Sequence, residues 1–485
     1  MKTAISMLDK KGENTIPRLL AALNRAQVSG EARFGLATPF NLVETASFSS
    51  LDSRKLNSSV ATGYVCTNSP SNEPITIKLE EANLTFEGRA FTSKLKTSLE
   101  EIIRKSLKPD YSKSAESVLK KVEGEYAFII SHPGGFVVAR DPVGVQPLYF
   151  GETSEFAAFA SNRAALWRLG VDEPQSFPPG HVGTVTRDGF KFVSVKVLEF
   201  SKPKDVGLAE AAATLQKLLQ KSVLERVAGQ KEVAVAFSGG LDSSVVACLA
   251  KKTGVDVHLV HVSLKDQPET EEARKAAETL ELPLKVHLFT DADAERDISK
   301  VVSLIEESDP IKAAVGVPFF WNAQKASTEG FRVMLAGQGA DELFGGYQRY
   351  VNEYLVEGDE AARRTMFHDV SVIHESNIER DEKICGYFDV ELRLPFGSFA
   401  VAVFAMSLPT ELKFEKKPDS LRKLVLRRAA ENMGIPKSIA EKPKKAVQYS
   451  TGINNALKRI AKKHNLTLTE YVNILFQEYK KKAVE

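Results

Sequence analysis

The segment Val233-Ala-Val-Ala-Phe-Ser-Gly-Gly-Leu-Asp-Ser-Ser244 joins an apolar run to a turn rich in glycine and hydroxyl groups. Its first five residues, 233–237, are typical of a buried parallel strand. Gly239 and Gly240 allow a tight turn in which backbone N–H groups approach an anion, and the helix predicted next points its positive end at the same place. The segment therefore predicts an anion site lined by Ser238, Gly239, Gly240, Leu241, Asp242, Ser243 and Ser244.

This turn differs from the common phosphate-binding P-loop, which needs the pattern GxxxxGKS or GxxxxGKT. No lysine follows the glycines, and Asp242 lies in the loop instead. A carboxylate beside a phosphate is favourable when a Mg²⁺ ion lies between them. Taken alone, the segment is also compatible with a glycine turn and helix-capping serines that have only a structural role.

A second glycine-rich segment, Ala336-Gly-Gln-Gly-Ala-Asp-Glu-Leu-Phe-Gly-Gly-Tyr347, also follows a predicted strand. It carries Asp341 and Glu342 at another strand-to-helix turn. In a doubly wound sheet, two such loops can face one crevice at the carboxyl ends of the strands. We therefore predict that Asp242 and Asp341 bind one shared metal ion.

The composition excludes several other classes of protein. The 485 residues include 65 Lys+Arg and 63 Asp+Glu, a balance that gives no support to a nucleic-acid or membrane-surface role. The three cysteines form no CxxC pair, so neither a zinc site nor a disulfide framework is indicated. The N-terminus lacks a signal-like apolar stretch, and the longest apolar run, 399–408, is too short to span a bilayer. These features predict a cytoplasmic protein.

The chain divides into two parts with different patterns. Residues 1–200 show short alternating strands and turns, which predict an α+β domain built on antiparallel sheet. The polar segment 201–206 is a predicted linker. From 207 to 485, strands alternate with helices, which predicts an α/β domain with a parallel sheet. Its C-terminal part, from about Tyr347, is mostly helical.

The two glycine-rich loops resemble the ATP pyrophosphatase domain of the asparagine synthetase B family. The similarity extends to Glu391–Phe396, Lys423–Arg427 and Lys444–Gly452, while Gly124–Phe128 and Ala139–Tyr149 resemble a class II glutamine amidotransferase domain. The resemblance implies an Ntn-hydrolase-like first domain and a second domain that binds ATP and Mg²⁺. It also implies an AMP-forming amide ligase: the side-chain carboxylate of aspartate is adenylated, pyrophosphate leaves, and ammonia attacks to give asparagine.

The resemblance also implies roles for single residues. Lys445, with Lys444 beside it, would neutralise the developing charge, and Val262 and Gly337 would lie in the adenine and ribose pocket. Gln338 stands where many members carry glutamate, and a glutamine amide cannot accept a proton. The catalytic candidates are Lys445, Glu391, Gln338 and Tyr347, and the candidate proton acceptors are Glu342 and Glu391.

The first domain departs from the family at the nucleophile. Family members use an N-terminal cysteine exposed by removal of the initiator methionine, whereas residue 2 here is Lys2 and the first cysteine is Cys66. The Asn-Gly-Glu turn that holds glutamine is replaced by Glu87-Gly88-Arg89. We therefore expect a folded first domain without glutaminase activity, and a ligase that takes free ammonia or depends on a separate ammonia source.

Two other interpretations remain open at this point. Relatives that close β-lactam or macrolactam rings use a different acid or amine and also lack glutaminase chemistry. A catalytically weak scaffold or regulatory homologue is a third class, which the intact Asp242 and Asp341 disfavour. The expected partners are the small molecules aspartate and ammonia and a second copy in a homodimer, with no nucleic acid or membrane.

Overall fold

The computed structural model describes residues 2–26, 31–51, 56–67, 75–91, 110–418, 421–442 and 447–485. The chain forms two compact units. The first comprises residues 1–197 together with 477–485, and the second comprises residues 198–476. Among the described residues, no helix is both long and apolar enough to cross a membrane.

The first unit is built on two antiparallel sheets. Its strands are β1 (Lys2–Asp9), β2 (Ala32–Ala37), β3 (Leu42–Thr45), β4 (Val60–Thr67), β5 (Ile75–Lys78), β6 (Asn83–Phe91), β7 (Glu123–His132), β8 (Gly135–Arg140), β9 (Tyr149–Glu152), β10 (Phe156–Ala160), β11 (Gln175–Ser176), β12 (His181–Thr186) and β13 (Gly189–Ser194). Its helices include α1 (Ile16–Asn24), α2 (Tyr111–Lys121) and α3 (Arg163–Leu169). Within the described residues, the sheet orders are β11-β9-β10-β1-β4-β2-β3 and β13-β12-β8-β7-β6-β5.

The two sheets pack face to face around an apolar core. Leu8 and Phe159 from one sheet meet Ile129 and Phe136 from the other. Helix α1 covers the outer face of the first sheet, and α2 covers that of the second. Because each sheet buries both faces, the unit has four layers, which confirms the predicted α+β class with antiparallel sheet.

The last residues of the chain belong to this first unit. The ring of Tyr479 lies 6.3 Å from that of Trp167 in an edge-on arrangement. The guanidinium of Arg25 donates to the carbonyl oxygen of Val484 at 3.0 Å. Residues 477–485 thus contribute both apolar and polar contacts to a unit otherwise made by the first 197 residues.

The second unit contains a parallel sheet between helices. Its strands are β14 (Glu232–Ala236), β15 (Asp256–Leu264), β16 (Leu284–Phe289), β17 (Val333–Leu335) and β18 (Glu391–Arg393). Its helices are α4 (Leu208–Val227), α5 (Leu241–Lys252), α6 (Glu269–Thr279), α7 (Asp291–Ile305), α8 (Pro310–Thr328), α9 (Ala340–Phe344), α10 (Gln348–Glu357), α11 (Asp359–Ser371), α12 (Glu379–Tyr387), α13 (Phe399–Met406), α14 (Leu424–Asn432), α15 (Lys437–Ala440), α16 (Val447–Ser450) and α17 (Ile453–Lys463). Helix α18 (Leu468–Val484) begins in the second unit, and its residues from 477 onward belong to the first. The strand order is β16-β15-β14-β17-β18, and all pairs are parallel.

The position of β14 in this order places the functional loops. Val233, Ala234 and Val235 are fully buried, because helices pack on both faces of the sheet. The chain proceeds to one side of β14 through β15 and β16, and to the other side through β17 and β18. The loops that leave β14 and β17 therefore open into one crevice at this change of direction. The predicted α/β architecture with a helical C-terminal part is confirmed.

Candidate active site

The turn after β14 has the geometry of an anion cradle. Gly239 has φ +70°, and a Cβ atom there would lie 2.7 Å from the Cα atom of Ala273, so the turn requires glycine. The hydroxyl oxygens of Ser238 and Ser243 lie 3.3 Å apart. Helix α5 begins at Leu241 without a side-chain cap. The first N–H groups of this helix are therefore available to an anion, together with the two hydroxyls.

The carboxylates of Asp242 and Asp341 converge on one lysine. The Lys423 Nζ atom lies 2.6 Å from Asp242 Oδ2 and 2.8 Å from Asp341 Oδ1, and its side chain is 2% exposed. Burial opposes the charged form, but the two carboxylates hold the pKa of Lys423 above its ordinary value. The two predicted metal ligands thus meet at one point, where the structure places an ammonium group.

Two glycines make this convergence possible. A Cβ atom at Gly346 would lie 1.9 Å from Asp341 Oδ1 and 2.5 Å from Lys423 Cε. A Cβ atom at Gly337 would lie 2.9 Å from the Cβ atom of Asp242. Any larger residue at either position would push apart the groups that form the cluster.

A cavity of about 730 Å³ opens beside this cluster. Its volume is in the range typical of sites for small molecules. The predicted residues that line it are Ser238, Asp242, Ser243, Val262, Gly337, Gln338, Asp341, Glu342 and Tyr347. The remaining residues of the predicted cradle, Gly239, Gly240, Leu241 and Ser244, belong to the same turn but do not line the cavity.

Two predicted catalytic residues share a hydrogen bond in the wall of the cavity. Glu342 is 4% exposed, and its Oε1 atom accepts from the Tyr347 hydroxyl at 2.6 Å and from Asn377 Nδ2 at 2.8 Å. Asn377 lies in a π-helical turn, His374–Ile378. Burial and the nearby Asp341 raise the pKa of Glu342, and burial with Glu342 raises the pKa of Tyr347. The tyrosine therefore remains protonated at neutral pH.

The structure does not bring Glu391 to this cavity. Glu391 begins β18 and pairs with Val333 at the amino end of β17, whereas the cavity loops leave the carboxyl ends. Both of its carboxylate oxygens accept from the Arg393 guanidinium at 3.1 Å. Of the two expected proton acceptors, only Glu342 lines the cavity. Lys444 and Lys445 lie outside the described residues.

Several residues in the wall of the cavity or directly behind it were not anticipated from the sequence. Gln338 Nε2 donates to Asp381 Oδ2 at 2.6 Å, and Asp381 is fully buried and paired with the Arg380 guanidinium at 2.7 and 3.0 Å. His261 Nδ1 donates to the carbonyl oxygen of Phe237 at 2.9 Å, and burial lowers the pKa of this histidine. Asp381 follows Gln338 in a distant helical segment, so no local pattern marks it. His261 directly precedes Val262 in β15, and because strand alternation puts adjacent side chains on opposite faces, the prediction for Val262 does not mark it.

Cationic side chains also face this space. Lys312, Arg349 and Arg380 line the cavity. Arg349 Nη2 lies 2.6 Å from Asp369 Oδ2, and Lys312 forms an ion pair with Glu307. Lys312 and Arg349 can exchange their present carboxylate partners for those of a small acidic ligand.

Comparisons with known proteins agree with this geometry. A family model described as Asparagine synthase matches residues 214–357 and 351–478, and a model described as Glutamine amidotransferase domain matches residues 77–168. The chain is 32% identical over 410 residues to a putative glutamine-hydrolyzing asparagine synthetase 1 of Methanocaldococcus jannaschii, a match that covers 74% of this chain and 75% of that protein. It is 28% identical over 367 residues to the glutamine-hydrolyzing asparagine synthetase of Sandersonia aurantiaca, covering 71% and 67%. For glutamine-hydrolyzing asparagine synthetase 2 of Arabidopsis thaliana, the identity is 28% over 387 residues, covering 73% and 64%.

Proposed function

The chain belongs to the asparagine synthase family, and on this premise we propose that it is an ATP-dependent, AMP-forming ligase that makes asparagine from aspartate and ammonia. The observation that carries the proposal is the convergence of Asp242 and Asp341, from two separate loops, on one cationic atom beside the Ser238–Ser244 turn. Splitting ATP to AMP requires such a place, because the negative charge on the departing pyrophosphate must be stabilised.

Each part of the cradle has a role in this reaction. The backbone N–H groups at the start of α5 and the hydroxyls of Ser238 and Ser243 would bind the pyrophosphate. The donor set of Asp242 and Asp341 fits Mg²⁺, because carboxylate oxygens are the ligands that this ion prefers and both residues bring one to within 2.8 Å of the Lys423 Nζ atom. These two residues would hold the ion, which would neutralise charge on the leaving group.

The acid would bind in the remainder of the cavity. Lys312 and Arg349 would orient its carboxylates, since bidentate and charge-assisted contacts suit this ligand class. Val262 and Gly337 would contact the adenosine moiety of ATP. Glu342 and Tyr347 form part of the polar wall between these groups.

We also propose that the first unit supplies no ammonia from glutamine. The segment Glu87-Gly88-Arg89, expected to be the turn that holds glutamine, lies within strand β6. There, Arg89 Nε donates to Glu125 Oε2 at 2.9 Å. Glu87 Oε2 accepts from Gln146 Nε2 at 3.1 Å. The side chains of Glu87 and Arg89 are thus engaged by other side chains of the protein. Cys66 is fully buried in β4 and offers no accessible thiol.

The test is a pyrophosphate-release assay with Mg-ATP, with and without aspartate, repeated with ammonium, glutamine or no amine. We expect aspartate-dependent pyrophosphate, and asparagine with ammonium but not with glutamine. Asp242→Asn should abolish turnover, whereas Asp256→Asn, an exposed carboxylate at the amino end of β15, should not. Pyrophosphate independent of aspartate would indicate another acid. Absence of turnover in both the wild-type protein and Asp242→Asn would indicate a scaffold. Release of glutamate from glutamine would refute the proposal for the first unit.

A further inference from the structure

The amide of Gln338 is held in one orientation by groups behind the cavity wall. Its Nε2 atom donates to Asp381 Oδ2 at 2.6 Å. Asp381 is fully buried, and the Arg380 guanidinium donates to both of its oxygens. A carboxylate paired in this way can only accept, so the NH₂ side of the amide must face Asp381.

This orientation fixes what Gln338 presents to the cavity. The Oε1 atom is the part of the amide that is not turned toward Asp381, and Gln338 itself lines the cavity. The residue lies between Gly337, which packs against Asp242, and Gly339, which has φ +92°. The acceptor oxygen is therefore held on a tight turn next to the phosphate cradle rather than on a free side chain.

We infer that Gln338 is a positioning residue for the nitrogen nucleophile, with its Oε1 atom accepting a hydrogen bond from an N–H group of the incoming ammonia. This inference rests on the proposed function. An acceptor behind the nitrogen turns the lone pair toward the acyl carbon, and it binds more strongly as the nitrogen becomes positive during attack.

The chemical step balances without proton uptake by Gln338. The nitrogen lone pair forms the C–N bond, the C–O bond to AMP breaks, and its electron pair leaves with the phosphate. The released proton goes to the departing phosphate, because a glutamine amide cannot hold it. Asp381 and Arg380 act only through Gln338, by preventing rotation of the amide.

The test compares wild type with Gln338→Met, which has similar volume but no strong acceptor. Pyrophosphate and asparagine are measured together at saturating aspartate over a range of ammonium concentrations. We expect the KM for ammonium to rise about tenfold and the amount of asparagine formed per pyrophosphate released to fall. A purely structural role would instead lower both products equally. Gln324→Met, in α8 and outside the cavity lining, is the matched control and should behave as wild type.

Gln338→Glu provides the second arm and does not depend on the folding of Gln338→Met. Beside Asp381, the new carboxyl shares a proton, so that its O–H group replaces the amide donor and its other oxygen replaces Oε1. We expect its KM for ammonium to stay within about threefold of wild type. An unchanged KM and product ratio in Gln338→Met, or a tenfold higher KM in Gln338→Glu, would overturn the inference. Absence of aspartate-dependent pyrophosphate in wild type would overturn the proposed function itself.

Discussion

The buried charges of the two units are compensated in different ways. In the first unit, Arg89 and Glu125 are directly opposite each other on adjacent strands β6 and β7, and they pair at 2.9 Å. In the second unit, Asp242, Asp341 and Lys423 come from three separate segments and meet only when the whole unit is folded. The local pair joins two neighbouring strands, whereas the convergent cluster faces a cavity. Charge that is gathered from distant loops indicates a site, and charge that is paired across one ladder indicates a structural role.

The largest effect should follow from breaking the convergent cluster. Asp341→Asn removes one of the two carboxylates on which the proposed Mg²⁺ site depends, so pyrophosphate formation should fall about 10²- to 10³-fold. The measurement is aspartate-dependent pyrophosphate release by the purified variant, with its melting temperature compared with that of wild type. Activity within twofold of wild type would show that the cluster is not where the leaving group is stabilised.

A smaller loss is expected when the cluster is displaced rather than neutralised. In Gly346→Ala the added methyl group would collide with Asp341 and with Lys423, which must move apart. We expect a loss of about 10- to 100-fold in the same assay, because small misplacement of catalytic groups is costly. Gly386→Ala is the control, since a Cβ atom at that helical position meets nothing within 4 Å. Equal rates of pyrophosphate release by Gly346→Ala and Gly386→Ala would show that the contact of the added methyl group with Asp341 and Lys423 does not disturb the cluster.

Breaking the local pair should affect stability and leave the ligase reaction intact. Glu125→Gln removes the charge that faces Arg89 but keeps a hydrogen-bond acceptor, so the first unit should lose about 2 kcal/mol of unfolding free energy. Urea denaturation and the ammonium-dependent assay should be carried out on the same preparation. A large fall in asparagine formation without a fall in stability would show that this pair also serves the reaction.

The smallest effect concerns Lys413, a buried titratable side chain of the second unit that belongs neither to the Arg89–Glu125 pair nor to the convergent cluster. Its side chain is 3% exposed, and burial lowers its pKa to about 7. Between pH 7 and the ordinary value of 10.5, the unfolded chain holds a proton that the folded chain has lost, so wild-type stability should rise with pH in this window.

Lys413→Met removes this titration, and at pH 7 it should increase the unfolding free energy by about 1 kcal/mol. The difference from wild type should shrink by pH 9, which urea unfolding at both pH values would measure. A difference that stays constant with pH would show that Lys413 is not the titrating group.

Local sequence patterns predicted the sheet well. The strand expected at 233–237 lies at 232–236. Alternation of strands and helices also predicted that two glycine-rich loops face one crevice, because this depends only on strand order. The meeting of Asp242 and Asp341 follows from the same rule.

The cluster's third member could not be predicted in this way. Lys423 reaches the site only through the packing of the helical part, where each step depends on tertiary contacts and not on a local repeat. Asp381 is hidden for the same reason. Glu391 shows a different limit: its segment resembles the family, but a three-residue strand in register with Val333 places it at the amino end of the sheet, away from the cavity loops.

The contacts of residues 477–485 with Trp167 and Arg25 also bear on how the protein is made. Ribosomal synthesis supplies residues 198–476 before these contacts can form. The first unit therefore lacks the packing contacts of residues 477–485 until the whole of the second unit has been synthesised. A nascent chain stopped before residue 477 would therefore lack the contacts that Tyr479 and Val484 make with Trp167 and Arg25, even though the second unit had been synthesised.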